Sequence, residues 1–213
     1  MNVTLPEGLL GSLALARRGG PFAMLLRHAD RVEIPKGELG GHAALTEVGV
    51  LRTRALARHP VFETHPIRWC ESSPVSRCME TGRLAGLVPA PSALLGDPGV
   101  FVTDAEAAGR AFLSLGTEHV VRAHLDGGMR PFLRPPEEGA RIVLSHVAAA
   151  LKERGGVGLL LSHDTIVMPI IAWLTGDRFE GEWLAPLDGI VIGLTSEGGC
   201  AVSWKGRVFG GVS

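Results

Sequence analysis

Residues 21–31 read PFAMLLRHADR, and the way this stretch ends decides the fold. Pro21 to Leu26 is a short, unbroken apolar run, the pattern of a strand buried on both faces, as in a parallel sheet covered by helices. It stops abruptly at Arg27 and His28, two polar residues with chemical capability. Two more stretches behave alike. Ile67 to Glu71 (IRWCE) runs into Ser72, Ser73 and Pro74, and Val157 to Leu161 (VGLLL) runs into Ser162, His163 and Asp164.

Helix signals lie between the strands. Leu9 to Arg18 reads as a short helix stopped by Gly19 and Gly20. A glycine-rich loop from Gly37 to Gly41 leads to Thr46, a natural N-cap for an amphipathic segment from Glu47 to Arg58 with Val48, Leu51 and Ala55 on one face. Ser73 as N-cap, with Pro74 at the first helical position, predicts a helix running to about Gly86. Glu137 to Arg154 has helical period through Ile142, Val143, Val147, Ala150 and Leu151 and stops at Gly155 and Gly156, and a further helix follows Asp164 as far as Gly176. Ile190 to Leu194 and Ala201 to Trp204 read as a hairpin around Gly198 and Gly199. Between them all, Val88 to Pro136 is broken by prolines and carries short helices near Ala105 to Leu115 and Glu118 to Leu125.

Strands alternating with helices predict one α/β domain over residues 1–213, a layered sandwich with a largely parallel central sheet flanked by helices, with residues 88–136 as a small lid or insertion. The chain is 46% hydrophobic and 20% charged, the composition of a globular protein able to bury a sizeable core, which excludes disordered and fibrous classes. With 21 Lys plus Arg against 22 Asp plus Glu, no global field favours nucleic acid, so any anion site is local. Cys70, Cys78 and Cys200 are odd in number and lack paired spacing, so they read as small core residues. No apolar run is long enough to span a bilayer, and the charge order of the first twenty residues is the reverse of a signal peptide's. A cytoplasmic protein with neither membrane nor nucleic-acid partner is the expectation; the oligomeric state is left open.

In sheets of this class, ligands bind beyond the carboxyl ends of the strands. Arg27, Arg31 and Arg77 would bring guanidinium forks to that edge, Arg77 beside the start of a helix, and together they make a pocket for a dianion. His28 and His163 reach the same place from different strands, one able to attack and the other to donate hydrogen bonds, and Asp164 adds a carboxyl group for proton transfer. The other histidines, His42, His59, His65, His119, His124 and His146, show no metal-ligand spacing, so neither a metal nor a cofactor is expected. Trp69, Trp173, Trp183 and Trp204 read as core or interface residues.

Taken in series, these segments make the chain resemble the histidine phosphatase (phosphoglycerate mutase-like) superfamily. The matching pieces are Leu26-Arg27-His28-Ala29-Asp30-Arg31, with Ala29 where the family has glycine; Leu45-Thr46-Glu47-Val48-Gly49; Ser72-Ser73-Pro74-Val75-Ser76-Arg77-Cys78-Met79-Glu80-Thr81; and Ser162-His163-Asp164-Thr165. The resemblance implies His28 as a nucleophile that becomes phosphorylated, with Arg27, Arg77 and His163 binding the phosphoryl group. Arg31 and the His163-Asp164 pair are similar to the acid phosphatase branch, which implies Asp164 as proton donor; the other branch implies a donor nearer the lid, for which Asp97 is the candidate. The implied activity is metal-independent hydrolysis of phosphate monoesters, acting on a small-molecule phosphate ester or another phosphorylated substrate. The same site would serve a phosphotransferase, or a phospholigand-binding module with weak catalysis.

Overall fold

The structure, a computed structural model, describes residues 3–13, 19–35 and 37–212. The apolar run after Pro21 forms β1 (Phe22–Arg27), buried from Phe22 through Leu26. It joins β2 (Ile67–Ser72), β3 (Ala90–Pro91), β4 (Val157–Ser162), β5 (Gly189–Leu194), β6 (Cys200–Trp204) and β7 (Arg207–Val212) in a seven-stranded sheet of order β3-β2-β4-β1-β5-β6-β7. The half of the sheet from β3 to β1 is parallel, as expected, while β5, β6 and β7 are added antiparallel. The hairpin around Gly198 and Gly199 is present as β5 and β6.

Side chains alternate along β1. Ala23 and Leu25 face a core shared with Leu160, Ile190 and Ile192 under α7 (Pro136–Arg154) and α8 (Asp164–Thr175). Phe22, Met24 and Leu26 face the opposite core with Leu159, Leu161 and Val191, covered by α1 (Glu7–Ser12), α2 (Glu47–Ala57), α3 (Val61–Thr64) and α4 (Ser76–Leu84). The sheet is thus covered on both faces, which explains the apolar continuity of its central strands. Residues 88–136 carry α5 (Ala105–Leu115) and α6 (Thr117–Leu125), and Ala108, Val120 and Leu133 form a small core of their own with Phe112 packed against it.

Some local expectations are corrected. The first helix starts earlier, at Glu7, and residues 14–18 of the expected span lie outside the described residues. Thr46 does cap α2, accepting from the Gly49 N–H at 3.1 Å. Its buried face, however, is Gly49, Thr53 and Leu56 rather than Val48, Leu51 and Ala55. Glycine at 49 sets this rotation, because a β-carbon there would lie 2.3 Å from the Asp30 carbonyl oxygen, so α2 presses its backbone against the segment that follows His28. The expected cap at Ser73 fails too. Ser73 continues the strand ladder by donating its N–H to Leu161 O at 2.8 Å, and α4 begins only at Ser76 with no side-chain cap. On α7, Ile142 is 39% exposed; the packed stripe runs instead through Ala140, Val143, Leu144, Val147 and Leu151. Cys70, Cys78 and Cys200 are buried and unpaired.

Candidate active site

Parallel pairing lines up the strand ends. Arg27 lies opposite Ser162, the His28 N–H donates to Ser162 O at 2.9 Å, and the Ser73 N–H joins from the other side of β4. One crevice therefore receives His28, Ser73 and His163 from β1, β2 and β4, and α4 delivers Arg77 from its first turn.

Arg77 is the hub. Its Nε donates to His28 Nε2 at 2.9 Å, one Nη donates to His163 Nδ1 at 3.1 Å, and the other donates to Gly40 O at 2.8 Å. Because a guanidinium has no acceptor, each of these contacts assigns a proton. His28 Nε2 carries a lone pair, so the proton is on Nδ1, which donates to Ala29 O at 2.7 Å. His163 is the opposite tautomer, with its Nε2–H donating to Ser73 Oγ at 2.9 Å. The two rings meet edge to face with centroids 5.4 Å apart.

Burial holds both rings neutral. It is the largest influence lowering His28, reinforced by His163, Arg77 and Arg27, and it lowers His163 in the same way with Arg77 next. Cys78 Sγ lies 3.6 Å from His163 Nε2, but burial pushes that thiol up to about 12, so it is no rival nucleophile at neutral pH. Arg27 extends one Nη to Asp164 Oδ2 at 3.0 Å and the other to Leu184 O, while its buried Nε has no hydrogen-bond partner among the described residues. For Asp164, burial works to raise the carboxyl, but Arg27 and then the Trp183 indole N–H, 2.9 Å from Oδ2, outweigh it and hold the group below the usual range. It rests as a carboxylate.

These groups open into a cavity of about 400 Å³. His28, Arg31, Arg77, His163, Asp164 and Asp97 all contribute to its lining, so among the sequence-derived candidates only Arg27 stands behind the wall, on Asp164. Arg31 reaches its rim and donates to Val32 O at 2.8 Å. Asp97 has no hydrogen-bond or ion-pair partner among the described residues. Ala29 is fully buried in the core against α4, so its methyl points away from the cavity and replaces glycine without narrowing it. Among the described residues, no three His, Cys, Asp or Glu side chains are grouped to hold a metal, and no helix is long and apolar enough to cross a membrane.

Sequence reasoning missed the residues that position these groups. Ser73, read as a helix cap, instead orients His163. Gly96, at φ 149°, packs so tightly that a β-carbon would sit 2.6 Å from Ser73 Oγ and 2.9 Å from His163 Nε2; only its neighbour Asp97 had drawn notice. Trp183, read as a core or interface residue, steadies Asp164. Gly96 and Trp183 come from segments distant in sequence, with no spacing signal to announce them.

No family model matches the sequence, and no curated protein does. Solved structures match at the level of fold. The protein histidine phosphatase SixA, in complex with tungstate, shares 15% identity at TM-score 0.51, covering 88% of this chain and 96% of its own. A mycobacterial glucosyl-3-phosphoglycerate phosphatase shares 15% at TM-score 0.55, covering 89% and 97%. A phosphoglycerate mutase from Bacillus anthracis shares 15% at TM-score 0.50, covering 89% and 91%. With a histidine pair, their arginine hub and the parallel strand ends that carry them all in one crevice, the chain has the fold of the histidine phosphatases and phosphoglycerate mutases.

Proposed function

We propose that the protein hydrolyses phosphate monoesters through a covalent phosphohistidine on His28. The observation that carries this reading is the fixed tautomer: Ala29 O holds the Nδ1 proton, leaving the Nε2 lone pair directed at a guanidinium in a buried, cationic crevice. A phosphoryl group entering the crevice accepts hydrogen bonds from Arg77, which releases the lone pair for attack in line with the leaving oxygen. The N–P bond forms as the ester P–O bond breaks, and a carboxyl group gives its proton to the departing alkoxide. Water then attacks the phosphohistidine, the same carboxylate takes the water's proton, and phosphate leaves with Nε2 restored. The capture of tungstate by SixA and of VO3 by the mycobacterial phosphatase supports an oxyanion site in this fold.

Asp164 is the proton donor in this reading. Its resting ion pair with Arg27 disfavours the protonated form, but a phosphate dianion in the cavity that Asp164 lines adds repulsion, which raises the carboxyl. One observation favours Asp97 instead: it lines the cavity and makes no hydrogen bond or ion pair among the described residues. Arginine supplies the positive charge over the site, so turnover is expected to survive exhaustive chelation. The test is phosphate release from a panel of monoesters with and without chelator. Loss of release on chelation, with recovery on adding a divalent ion, contradicts the mechanism.

A further inference from the structure

The cavity next to the phosphate crevice has a lopsided chemistry. The strand ends and α4 supply its charged part, as described above. The remainder of its wall is built by Ile34, Leu39 and residues of the 88–136 segment, and it is mostly apolar: Ile34, Leu39, Val102, Ala105, Ala108 and Phe112. The polar side chains outside the phosphate cluster are Asp97, Thr117 and Thr165. The apolar surface does not stop at the mouth. Ile34 and Leu39 also line an adjoining open groove with Val32 and Leu113, and Leu39, Val32 and Leu113 are 56%, 45% and 44% exposed. Large aliphatic side chains left in water around the entrance of a site are a cost unless something covers them.

We infer that the substrate is a monophosphate ester whose alcohol portion is apolar, an extended alkyl or aryl group, rather than a sugar or a nucleoside. This rests on the phosphate-ester reading of the same site. A sugar in this cavity would bury hydroxyls against Val102, Ala108 and Phe112, and each hydroxyl left without a partner weakens binding roughly 5- to 100-fold. An alkyl chain instead gains roughly fourfold per methylene buried, the ratio that corresponds to about 0.8 kcal/mol.

Gly109 offers a way to fill the cavity without disturbing the fold. It lines the wall from the middle of α5, and a β-carbon there would meet no atom within 4 Å. Phenylalanine at this position occupies the apolar part of the cavity and is also a better helix former than glycine.

The experiment is a calorimetric binding ladder of n-alkylphosphonates, from methyl to octyl, with turnover of the matching alkyl phosphates and of glucose 6-phosphate measured in parallel. The phosphonates cannot be hydrolysed, so the ladder reads the cavity independently of catalysis. The expected result is affinity that climbs several-fold per methylene along the ladder, since the longest chain still fits within about 400 Å³. Gly109→Phe should flatten the climb while leaving methylphosphonate affinity within about twofold. A flat ladder in the wild-type protein, or a Gly109→Phe ladder as steep as the wild type's in a folded variant, overturns the inference. A steep ladder with no turnover of any ester retains the apolar site and removes the hydrolytic reading instead.

Discussion

In the proposed mechanism the chemistry turns on which nitrogen of each histidine holds a proton, and backbone, hydroxyl and arginine contacts decide that. Arg77 addresses both rings, so its removal would leave His163, whose other partner is a hydroxyl, free to change tautomer, while Ala29 O still holds the His28 proton on Nδ1. Ser73 acts on His163 as a positioning residue. Ser73→Ala should lower kcat/KM roughly 10- to 100-fold with little change in denaturation midpoint, since a sub-ångström misplacement in such a site is costly. An unchanged kcat/KM in Ser73→Ala argues that the hydroxyl has no orienting role. The two donor candidates separate by leaving-group dependence. Asp164→Asn should slow an alkyl phosphate severely and an activated aryl phosphate far less, because a good leaving group needs little protonation. Asp97→Asn should slow both only mildly. If the sensitivity appears in Asp97→Asn, the donor comes from the lid.

At the scale of elements, α2 and the loop after β1 are one device. The Thr46 N–H donates to Asp30 O at 2.9 Å, Thr46 Oγ1 caps the helix, and Gly49 brings its backbone against Asp30. Thr46→Ala should cost about 1 kcal/mol as a lost cap. Gly49→Ala should cost more, about 1–3 kcal/mol, since the clash is with backbone that cannot rotate away. It should also reduce turnover by shifting the segment that holds His28, and denaturant midpoints with kcat/KM for both variants test the pair. Much of this was legible in the sequence. Buried strands announced themselves as unbroken apolar runs, α5 was read to the residue, and His28, Arg77, His163 and Asp164 do meet in one crevice. What was not legible depends on tertiary contact. The edge strands β3 and β7 escaped because one is a two-residue segment ending in Pro91 and the other is interrupted by Gly210 and Gly211. Ser73 looked like a cap because a Ser-Pro pair starts helices often, and only the neighbouring β4 shows that its backbone is still in the ladder.

For the molecule as a whole, burying neutral histidines links stability to pH. His28, His163 and His124 are each lowered, chiefly by burial. Above about pH 6.5 neither the folded nor the unfolded chain protonates them; below it the unfolded chain takes up protons that the folded one refuses. Stability should therefore fall as pH drops from 7 toward 5, by up to about 1.4 kcal/mol per pH unit for each histidine. Asp188 works the other way. Burial raises it to about 6 from 3.8, so the folded state loses stability as pH rises through that window. Asp188→Asn, which keeps the bond from the Gly189 N–H, should raise the denaturation midpoint at pH 7 and leave it unchanged near pH 3, below both values. An unchanged midpoint at pH 7 contradicts the assignment. All of these effects surround the claim that His28 carries the phosphoryl group between substrate and water. Rapid quenching of the wild-type protein with a substrate labelled in its phosphoryl group tests that claim most directly. The account predicts protein-bound label that survives alkali, is lost in acid, maps to the peptide containing His28 and is absent from a folded His28→Ala variant, whose turnover falls roughly 10³-fold or more. Label on another residue, or undiminished turnover in His28→Ala, contradicts it.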